Sequence, residues 1–534
     1  MMPFLFLLSC IMPRKKGLHF YLVLGLFAIY LVNGLIAIPS NSVTYDEMDH
    51  WSYGKRILMR KTDKIYPYDD ASTMPITGLN AIPRAIQQII NPDLLKTDGG
   101  FSDIMNGRYV TLIICLLTGF YIYTWSKQLF GENGGLLSLF LFVFCPNLNG
   151  HGILLTTDAY TALFTVSTAY YYWKFIKQTK QINFLKFSVS IALAQIVKYS
   201  MLHLFIIFGI ISLFVLIKRR TIFSGIGRNA IRLIVLGCIT ILVINIAFLF
   251  NHPLTSQADF GAYSKLFDAY HKSFVGTLNL PLPLPYVEGL DFTMYMNDLG
   301  AGNLNVSDAN YLLGEKRVGT GFWYYYLVVC FFKTPLTVLL IFLSAIIFLF
   351  IRKKKEGHPS TMLFLIGLIL YFLILFGIQN NVQIGIRHVL MVYPLLYVLA
   401  GFFATTSLFK QRERLFKWII PLYSIIGFYY FFPNLISYSN ELIPVKRNAY
   451  KILADSNLDY GQGWYALEKY LKKHQDVAII DTTNNQTKFV IGVNDYLDLK
   501  MNHKYPRAYN YKPTGQINHC FLLFDLTDPK SSKY

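Results

Sequence analysis

Two adjacent carboxylates, Asp46 and Glu47, follow the first long apolar segment of this chain. Acidic side chains this close to a bilayer are costly unless they serve a function. A carboxylate in this position can act as a general base, taking a proton from a hydroxyl group as its oxygen attacks a sugar carbon. The pair therefore predicts chemistry on a lipid-carried substrate, with Asp46 as the base and Glu47 shaping the acceptor site.

Several cationic side chains stand on the same predicted side of the membrane. Arg387-His388 leads directly into an apolar segment, and Arg84 and Lys198 occupy other external positions. A guanidinium group can pair with two phosphate oxygens at once. A departing phosphate is a weak base, so it needs neutralisation of its charge rather than a proton donor. Arg387, Arg84, Lys198 and His388 are therefore the candidates for a donor phosphate site.

The remaining candidate site residues, at predicted external helix ends, are Asp158, His151 and Arg108. Asp158 could orient the acceptor or the base, although a Thr-Asp pair before an apolar run is also a common N-cap. Asp46 could equally be a solvated loop acid or an N-cap, and a single Lys or Arg could contact a lipid headgroup. The cysteines form no C-x-x-C pair and no His/Asp spacing indicates a metal site, so no cofactor is expected and a metal requirement stays open.

The composition is that of an integral membrane protein. Of the 534 residues, 54% are hydrophobic and 15% are charged, whereas soluble domains carry roughly 25% charged residues. Apolar runs long enough to cross a bilayer as helices recur along the chain. The net charge of +19 does not indicate nucleic-acid binding, because Lys and Arg concentrate in loops assigned to the cytoplasm, as the positive-inside rule predicts.

The hydropathy pattern predicts an all-α polytopic membrane protein with about eleven spanning helices. Their expected positions are 18–38, 108–126, 134–148, 154–176, 183–197, 201–217, 231–250, 335–351, 361–378, 388–408 and 417–435. Arg14 to Lys16 would hold the N-terminus inside, and Met12 is favoured over Met1 as the true start. The odd number of spans then leaves the C-terminus outside.

The spans divide the chain into two predicted domains. Residues 1–435 would form the membrane domain, with long external loops at 39–107 and 251–334, and residues 436–534 a small external α/β domain. The more polar tail contains a predicted helix from Trp464 to Lys473. Strand-like runs are expected at 477–480, 489–493 and 521–524.

Five stretches of the chain form a combined pattern. They are Tyr45-Asp46-Glu47, CPNLNGHGILLTTD at 145–158, GFWYYY at 321–326 with KTPL at 333–336, GIRHVLMVYP at 385–394, and NE at 440–441 with DSNLDYGQ at 455–462. Each stretch is weak alone, but the combination is specific. It resembles the GT-C glycosyltransferases of the dolichyl- or polyprenyl-phosphate-mannose protein mannosyltransferase type, glycosyltransferase family 39 and its bacterial relatives.

This resemblance implies a helical membrane domain with amphipathic helices in its first loop. It also implies a polyprenyl-phosphate sugar as donor, inversion of the anomeric centre, and Asp46 as the catalytic base. Three places depart from the family pattern: Tyr460 stands where Trp is usual, Met391 where Pro is usual, and Met48-Asp49-His50 where small residues are usual. The acceptor, whether protein, lipid or glycan, is left open.

The sequence thus predicts a multi-pass glycosyltransferase that acts on the external face of a bacterial inner membrane, with lipids, a polyprenyl-phosphate sugar and an acceptor as partners. Two other functions are left open. An ion-coupled transporter would need charges at the bilayer midplane and paired broken helices. A ligase would move a whole lipid-linked oligosaccharide by the same donor chemistry.

Overall fold

The computed structural model describes residues 17–93, 101–218, 226–303, 308–351, 358–481 and 486–531. Most of these residues are helical, and the strands form a two-stranded hairpin and a small C-terminal sheet. The favoured start at Met12 and the basic residues before the first helix lie outside the described ranges.

The first half of the chain contains the helices that precede the second external loop. They are α1 (Leu18–Ser40), α2 (Glu47–Leu58), α3 (Pro67–Asp70), α4 (Gly78–Ile90), α5 (Phe101–Val143), α6 (Pro146–Gly152), α7 (Asp158–Lys177), α8 (Gln181–Ala194), α9 (His203–Lys218) and α10 (Ile226–Ala247).

The second half alternates between external elements and further apolar helices. Its helices are α11 (Lys265–His271), α12 (Leu284–Leu299), α13 (Tyr325–Lys333), α14 (Leu336–Ile351), α15 (Pro359–Gln379), α16 (Val392–Ala400), α17 (Ser407–Gln411), α18 (Glu413–Phe431), α19 (Trp464–Lys473), α20 (Val493–Tyr496) and α21 (Pro506–Tyr509).

Five of the described helices are long and apolar enough to cross a membrane. They are Leu18–Ser40, Asp103–Val143, Tyr199–Lys218, Ile226–Ala247 and Pro359–Gln379. α13 and α14 meet at a bend of 119° and would make a sixth span if they count as one. The protein is therefore a multi-pass membrane protein, as predicted, but fewer helices meet this requirement than the eleven expected.

The remaining predicted segments are helical too: several are merged or short, whereas α7 and α18 have 20 and 19 residues but are not among these spans. α5 runs through two predicted spans, and Gly131, with a φ of 78°, breaks its helical geometry between them. α16 is only nine residues long, and every one of its residues is buried. Helices that are enclosed by other helices need not match the bilayer thickness, because protein rather than lipid surrounds their ends.

α5 lies at the centre of the helical body and packs against α1, α7 and α16. Large aromatic side chains fill these contacts: the rings of Tyr30 and Phe142 stack with centroids 4.8 Å apart, and Trp125 and Tyr397 are fully buried. Within lipid, close packing of such side chains holds helices together, since lipid tails are as apolar as the side chains. This body forms the support on which the external loops rest.

The first external loop folds into helices on this support. α2 and α4 pack on each other, and α4 also packs on α5. α4 buries Asn80 and Arg84 but leaves Ile86 and Ile89 exposed by 52% and 81%. The loop therefore contains an amphipathic helix of the kind that the resemblance implies.

The C-terminal region contains a four-stranded sheet in the order β3 (Ala478–Ile479), β4 (Lys488–Gly492), β6 (Phe521–Asp525) and β5 (Gly515–Ile517). β3 is parallel to β4, and the other neighbours are antiparallel. α19 matches the predicted helix, and β3, β4 and β6 lie within or next to the predicted runs. Two features were not predicted: β5, and an external hairpin of β1 (Asn310–Leu312) and β2 (Glu315–Arg317).

Backbone hydrogen bonds join the first loop to the segment before α19. The Ser42 amide donates to the Gln462 carbonyl at 3.1 Å, and the Tyr45 amide donates to the Tyr460 carbonyl at 3.2 Å. The Ser42 hydroxyl also donates to the Gly461 carbonyl at 2.7 Å. These contacts bring together two stretches from opposite ends of the chain and so place Asp46 beside Tyr460.

Candidate active site

Asp46 and Arg387 form a direct ion pair although they are 341 positions apart in the chain. Asp46 immediately precedes α2, and Arg387 lies in the 3-10 turn Ile386–Val389 ahead of α16. Nη1 of Arg387 donates to Oδ2 of Asp46. The Asp46 side chain is 37% exposed and the Arg387 side chain 6%, so the carboxylate is the more accessible partner.

The N-cap alternatives do not account for either candidate carboxylate. Asp46 occupies the N-cap position of α2, but its side chain makes no capping hydrogen bond. Asp158 is the first residue of α7, and Thr157 occupies the N-cap position there. Both carboxylates bind cationic side chains instead.

Tyr460 contacts both members of the Asp46–Arg387 pair. Its hydroxyl accepts a hydrogen bond from Nη1 of Arg387 at 2.7 Å and is also hydrogen-bonded to the Asp46 carboxylate. The Arg387 guanidinium lies over the Tyr460 ring, 4.6 Å from its centroid, where the ring quadrupole attracts a cation. Tyr460 therefore fixes the position of the carboxylate relative to the guanidinium.

This arrangement sets the charge of Asp46. Burial would raise the pKa of Asp46, but the charge of Arg387 and the hydrogen bonds from Arg387 and Tyr460 outweigh burial and hold the pKa below its ordinary value. Burial likewise opposes the charge of Arg387, and the Asp46 carboxylate more than compensates, which raises the pKa of Arg387. At neutral pH Asp46 is an ionised carboxylate bound by a cation.

A second ion pair lies in the same electrostatic environment. Nζ of Lys198 donates to Oδ1 of Asp158 at 2.8 Å, and the two side chains are 22% and 2% exposed. The charge of Arg387 acts on Asp158. The charges of both ion pairs act on His50, so the structure brings the predicted residues Asp46, Arg387, Asp158 and Lys198 into one cluster.

Glu47 points away from this cluster into the protein. Arg108 donates to its Oε1 through Nε at 2.7 Å and to its Oε2 through Nη2 at 2.5 Å, and both side chains are fully buried. The Leu155 and Thr44 amides also donate to Glu47, each at 2.8 Å. Arg108 in turn donates to the Ser42 carbonyl at 2.8 Å, so Glu47 and Arg108 act on the cluster through the backbone that they fix.

The other predicted residues have varied surroundings. Arg84 donates to Asp103 at 2.8 Å in a buried ion pair where α4 meets α5. Nδ1 of His388 is hydrogen-bonded to the Tyr326 hydroxyl at 3.2 Å. His151 is buried in α6, where the charges of Asp158 and Arg387 act on it. The role of Arg84 at a phosphate site stays a prediction.

The segment 455–462 holds the turn that carries Arg387. Gly385 has a φ of 99°, which favours glycine, and a Cβ there would collide with the Ser456 hydroxyl. Oδ1 of Asn457 accepts the Ile386 amide at 3.0 Å, and Nδ2 of Asn457 donates to the Tyr325 hydroxyl at 3.1 Å. The motif stretch therefore positions Arg387 and also contributes Tyr460.

Sequence reasoning missed two residues that support this geometry and one that faces it. Lys333 is buried, and its Nζ donates to the Ile436 carbonyl at 2.5 Å and the Asn457 carbonyl at 2.7 Å. Tyr460 and His50 are departures from the family pattern, which did not mark them as site residues. The signal that could have found them is that Tyr460 lies in a motif stretch and His50 lies three residues after one.

Within the described ranges, no group of three or more His, Cys, Asp or Glu side chains is arranged to hold a metal ion.

Two acidic side chains of the motif stretch 455–462 lie near the site: burial raises the pKa of Asp455 to about 6 and that of Asp459 to about 7. Neighbouring carboxylates contribute to both shifts.

The model of the dolichyl-phosphate-mannose-protein mannosyltransferase family matches residues 100–248. This part of the chain contains one of the five motif stretches, the one that ends at Asp158. Over these residues the match confirms the resemblance inferred from the sequence. No curated protein sequence matches the chain significantly.

The chain was also compared with solved structures. The apo oligosaccharyltransferase of Archaeoglobus fulgidus is similar with 15% sequence identity and a TM-score of 0.49, and the match covers 86% of this chain and 60% of the oligosaccharyltransferase chain. ArnT from Cupriavidus metallidurans, solved with undecaprenyl phosphate, is similar with 10% sequence identity and a TM-score of 0.33. That match covers 96% of this chain and 99% of the ArnT chain. The chain thus spans about 60% of the length of the first of these proteins.

Proposed function

We propose that this protein transfers a sugar from a polyprenyl-phosphate donor to an acceptor hydroxyl on the external face of a bacterial inner membrane. The observation that carries the proposal is the contact between the Asp46 carboxylate and the Arg387 guanidinium. It brings a base and a phosphate-binding cation into one site outside the predicted spans. The family match over residues 100–248 supports the same class of donor.

Asp46 is the general base of this reaction. As the acceptor oxygen attacks the anomeric carbon, its proton passes to the Asp46 carboxylate. The bond between the anomeric carbon and the phosphate oxygen breaks, and its electron pair leaves with the polyprenyl phosphate. Attack from the face opposite the phosphate inverts the anomeric centre. A positioned base of this kind contributes roughly 10²–10⁴-fold to the rate.

Arg387 and Lys198 bind the donor phosphate. Both are paired with carboxylates in the structure, Arg387 with Asp46 and Lys198 with Asp158. A phosphate that binds Arg387 weakens the hold of the guanidinium on Asp46, and the carboxylate becomes a stronger base as a result. Neutralisation of the leaving phosphate then replaces the need for an acid.

The test is a deletion strain whose lipids and glycoproteins are profiled by mass spectrometry. We expect one glycoconjugate of the deletion strain to lose one sugar, and the wild-type gene to restore that sugar. The Asp46→Asn gene should not restore it, although the variant protein reaches the same level in the membrane. Asp268→Asn, the same change at an exposed side chain of the second external loop, is the matched control and should restore the product. A fully active Asp46→Asn protein would refute the role of Asp46.

The same experiment tests the ligase alternative, and a labelling experiment tests the transporter alternative. A ligase would leave a glycoconjugate that lacks a whole oligosaccharide, and the mass of the missing block distinguishes this from the loss of one sugar. A transporter would expose Asp158 alternately to the two sides of the membrane. Labelling of Asp158→Cys from both sides would detect such alternation.

A further inference from the structure

His50 lies one helical turn after Asp46 on α2 and on the same face of that helix. Its side chain is 6% exposed, and its Nδ1 atom is buried without a hydrogen-bond partner in the described part of the chain. A buried polar atom without a partner is destabilising. This nitrogen is therefore available to a group that the chain itself does not supply.

The surroundings of His50 are the charged cluster of the candidate site. Four charged side chains act on the imidazole electrostatically: Asp46 before α2, Asp158 on α7, Lys198 before the 3-10 turn Tyr199–Leu202, and Arg387 before α16. Burial lowers the pKa of His50 to about 4, with the two cations adding to this effect and the two carboxylates opposing it. The imidazole is therefore neutral at physiological pH.

A neutral imidazole selects its ligand by hydrogen bonding rather than by charge. One ring nitrogen donates and the other accepts. A hydroxyl group both donates and accepts, so it suits Nδ1 in either tautomer. An anionic phosphate or carboxylate would instead be bound by Arg387 and Lys198. His151, which is 1% exposed, also has a buried Nδ1 without a partner among the described residues, and burial lowers its pKa too, so it is a second neutral imidazole with an unpaired Nδ1 near these charges.

We propose that Nδ1 of His50 hydrogen-bonds a hydroxyl group of the substrate beside the reacting centre, and so determines which hydroxylated substrate is accepted. The inference rests on the proposed function and adds a specificity residue to it. The hydroxyl belongs either to the transferred sugar or to the acceptor. In both cases a substrate without it would leave Nδ1 unpaired and be rejected.

The test uses three variants in the deletion strain, scored by the product that the wild-type gene restores. His50→Leu removes both ring nitrogens, His50→Asn keeps a polar atom near Nδ1, and His50→Gln keeps one near Nε2. We expect His50→Leu to lower product formation by about tenfold or more, with His50→Asn retaining more activity than His50→Gln. The exposed His474→Leu is the matched control and should leave product formation unchanged.

Binding of undecaprenyl phosphate to the purified full-length protein separates a substrate contact from a structural role. We expect the three His50 variants to bind this probe as the wild type does. Full activity of His50→Leu would mean that Nδ1 binds only water and would overturn the proposal. Equal losses in all three variants, together with lost probe binding, would assign His50 to folding and also overturn it.

A second probe, polyprenyl-phosphate mannose, identifies the source of the hydroxyl. If His50→Leu lowers its affinity relative to undecaprenyl phosphate, the hydroxyl is on the sugar. If the ratio is unchanged while product is lost, the hydroxyl is on the acceptor. If the deletion strain loses no glycoconjugate, the proposed function itself fails, which is a different result from any of these.

Discussion

At the scale of single residues, the contact between Asp46 and Arg387 limits what each of the two groups can do for a substrate. A carboxylate bound by a guanidinium is a weaker base, and a guanidinium bound by a carboxylate is less available to a phosphate. If Arg387 binds the donor, the phosphate and the Asp46 carboxylate compete for the same group. Donor binding then prepares the base for the acceptor, which favours an order in which the donor binds first.

Asp46→Asn should bind undecaprenyl phosphate more tightly than the wild type while losing transfer. The amide no longer neutralises Arg387, so we expect a gain of about threefold to tenfold, or roughly 1 kcal/mol. Binding of the radiolabelled lipid to purified protein measures it. Asp268→Asn should leave the affinity unchanged and Arg387→Gln should lower it. Unchanged or weaker binding by Asp46→Asn would show that the two anions do not compete.

Tyr460→Phe should shift the acidic side of the pH–rate profile to higher pH. The Tyr460 hydroxyl helps to hold the pKa of Asp46 below its ordinary value, so its removal raises that pKa. Protonation then inactivates the base at a higher pH as the solution is acidified. Product formation across a pH series measures the shift. Tyr66→Phe, at an exposed side chain, is the control, and identical acidic limbs for Tyr460→Phe and the wild type would contradict the role of the hydroxyl.

At the scale of elements, the start of α2 separates two neighbouring acids. Consecutive residues at a helix start point in different directions. Asp46 reaches the Arg387 turn, whereas Glu47 enters the protein and pairs with Arg108 of α5. Asp46 therefore faces the candidate site, and Glu47 joins the first loop to the central helix. The motif stretch 455–462 holds the Arg387 turn from the other side.

Glu47→Gln should destabilise the folded protein far more than the same change in an exposed ion pair. It leaves the Arg108 guanidinium buried without a counter-charge, which typically costs about 3–5 kcal/mol. Glu413→Gln, which breaks the exposed pair with Lys417, should cost about 0–1 kcal/mol. Thermal unfolding of the purified proteins in detergent compares the two. Similar unfolding temperatures would mean that the buried pair contributes little.

At the scale of the whole molecule, the two long loops and the C-terminal region contact one another at the same end of the helices. The first loop is hydrogen-bonded to the segment before α19, and the Ala309 amide of the second loop donates to the Leu499 carbonyl at 2.9 Å. These contacts require all three regions to lie on one side of the membrane. The N-terminus and the loop around Lys410 would then lie on the other side.

Labelling of single cysteines in intact cells tests this arrangement. In a background that carries Cys238→Ser, Arg60→Cys of the first loop and Lys500→Cys of the C-terminal region should both react with a membrane-impermeant reagent. Lys410→Cys should react only after permeabilisation. All three positions are exposed in the structure, so burial does not limit the reaction. Labelling of Arg60→Cys and Lys500→Cys from opposite sides would contradict the fold.

The sequence alone determined the membrane class and the GT-C resemblance, and it predicted Asp46 and Arg387 as members of one site. These follow from properties of neighbouring residues: the length of an apolar run, the sign of the charges beside it, and short motifs. The boundary between the two domains at residue 435 and the inner-membrane location stay predictions. The number of membrane-spanning helices also stays a prediction, because five described helices meet the length and hydropathy requirement and buried helices such as α16 need not match the bilayer.

Only the tertiary structure decided which acid is available and which cation it meets. Glu47 and Arg108 are 61 positions apart and Arg387 and Asp46 are 341 apart, so their pairing depends on how α2, α5 and the Arg387 turn pack together. Tyr460 and His50 became site residues for the same reason. A single sequence carries no direct record of contacts at such separations, since they arise when the packed helices bring distant segments together.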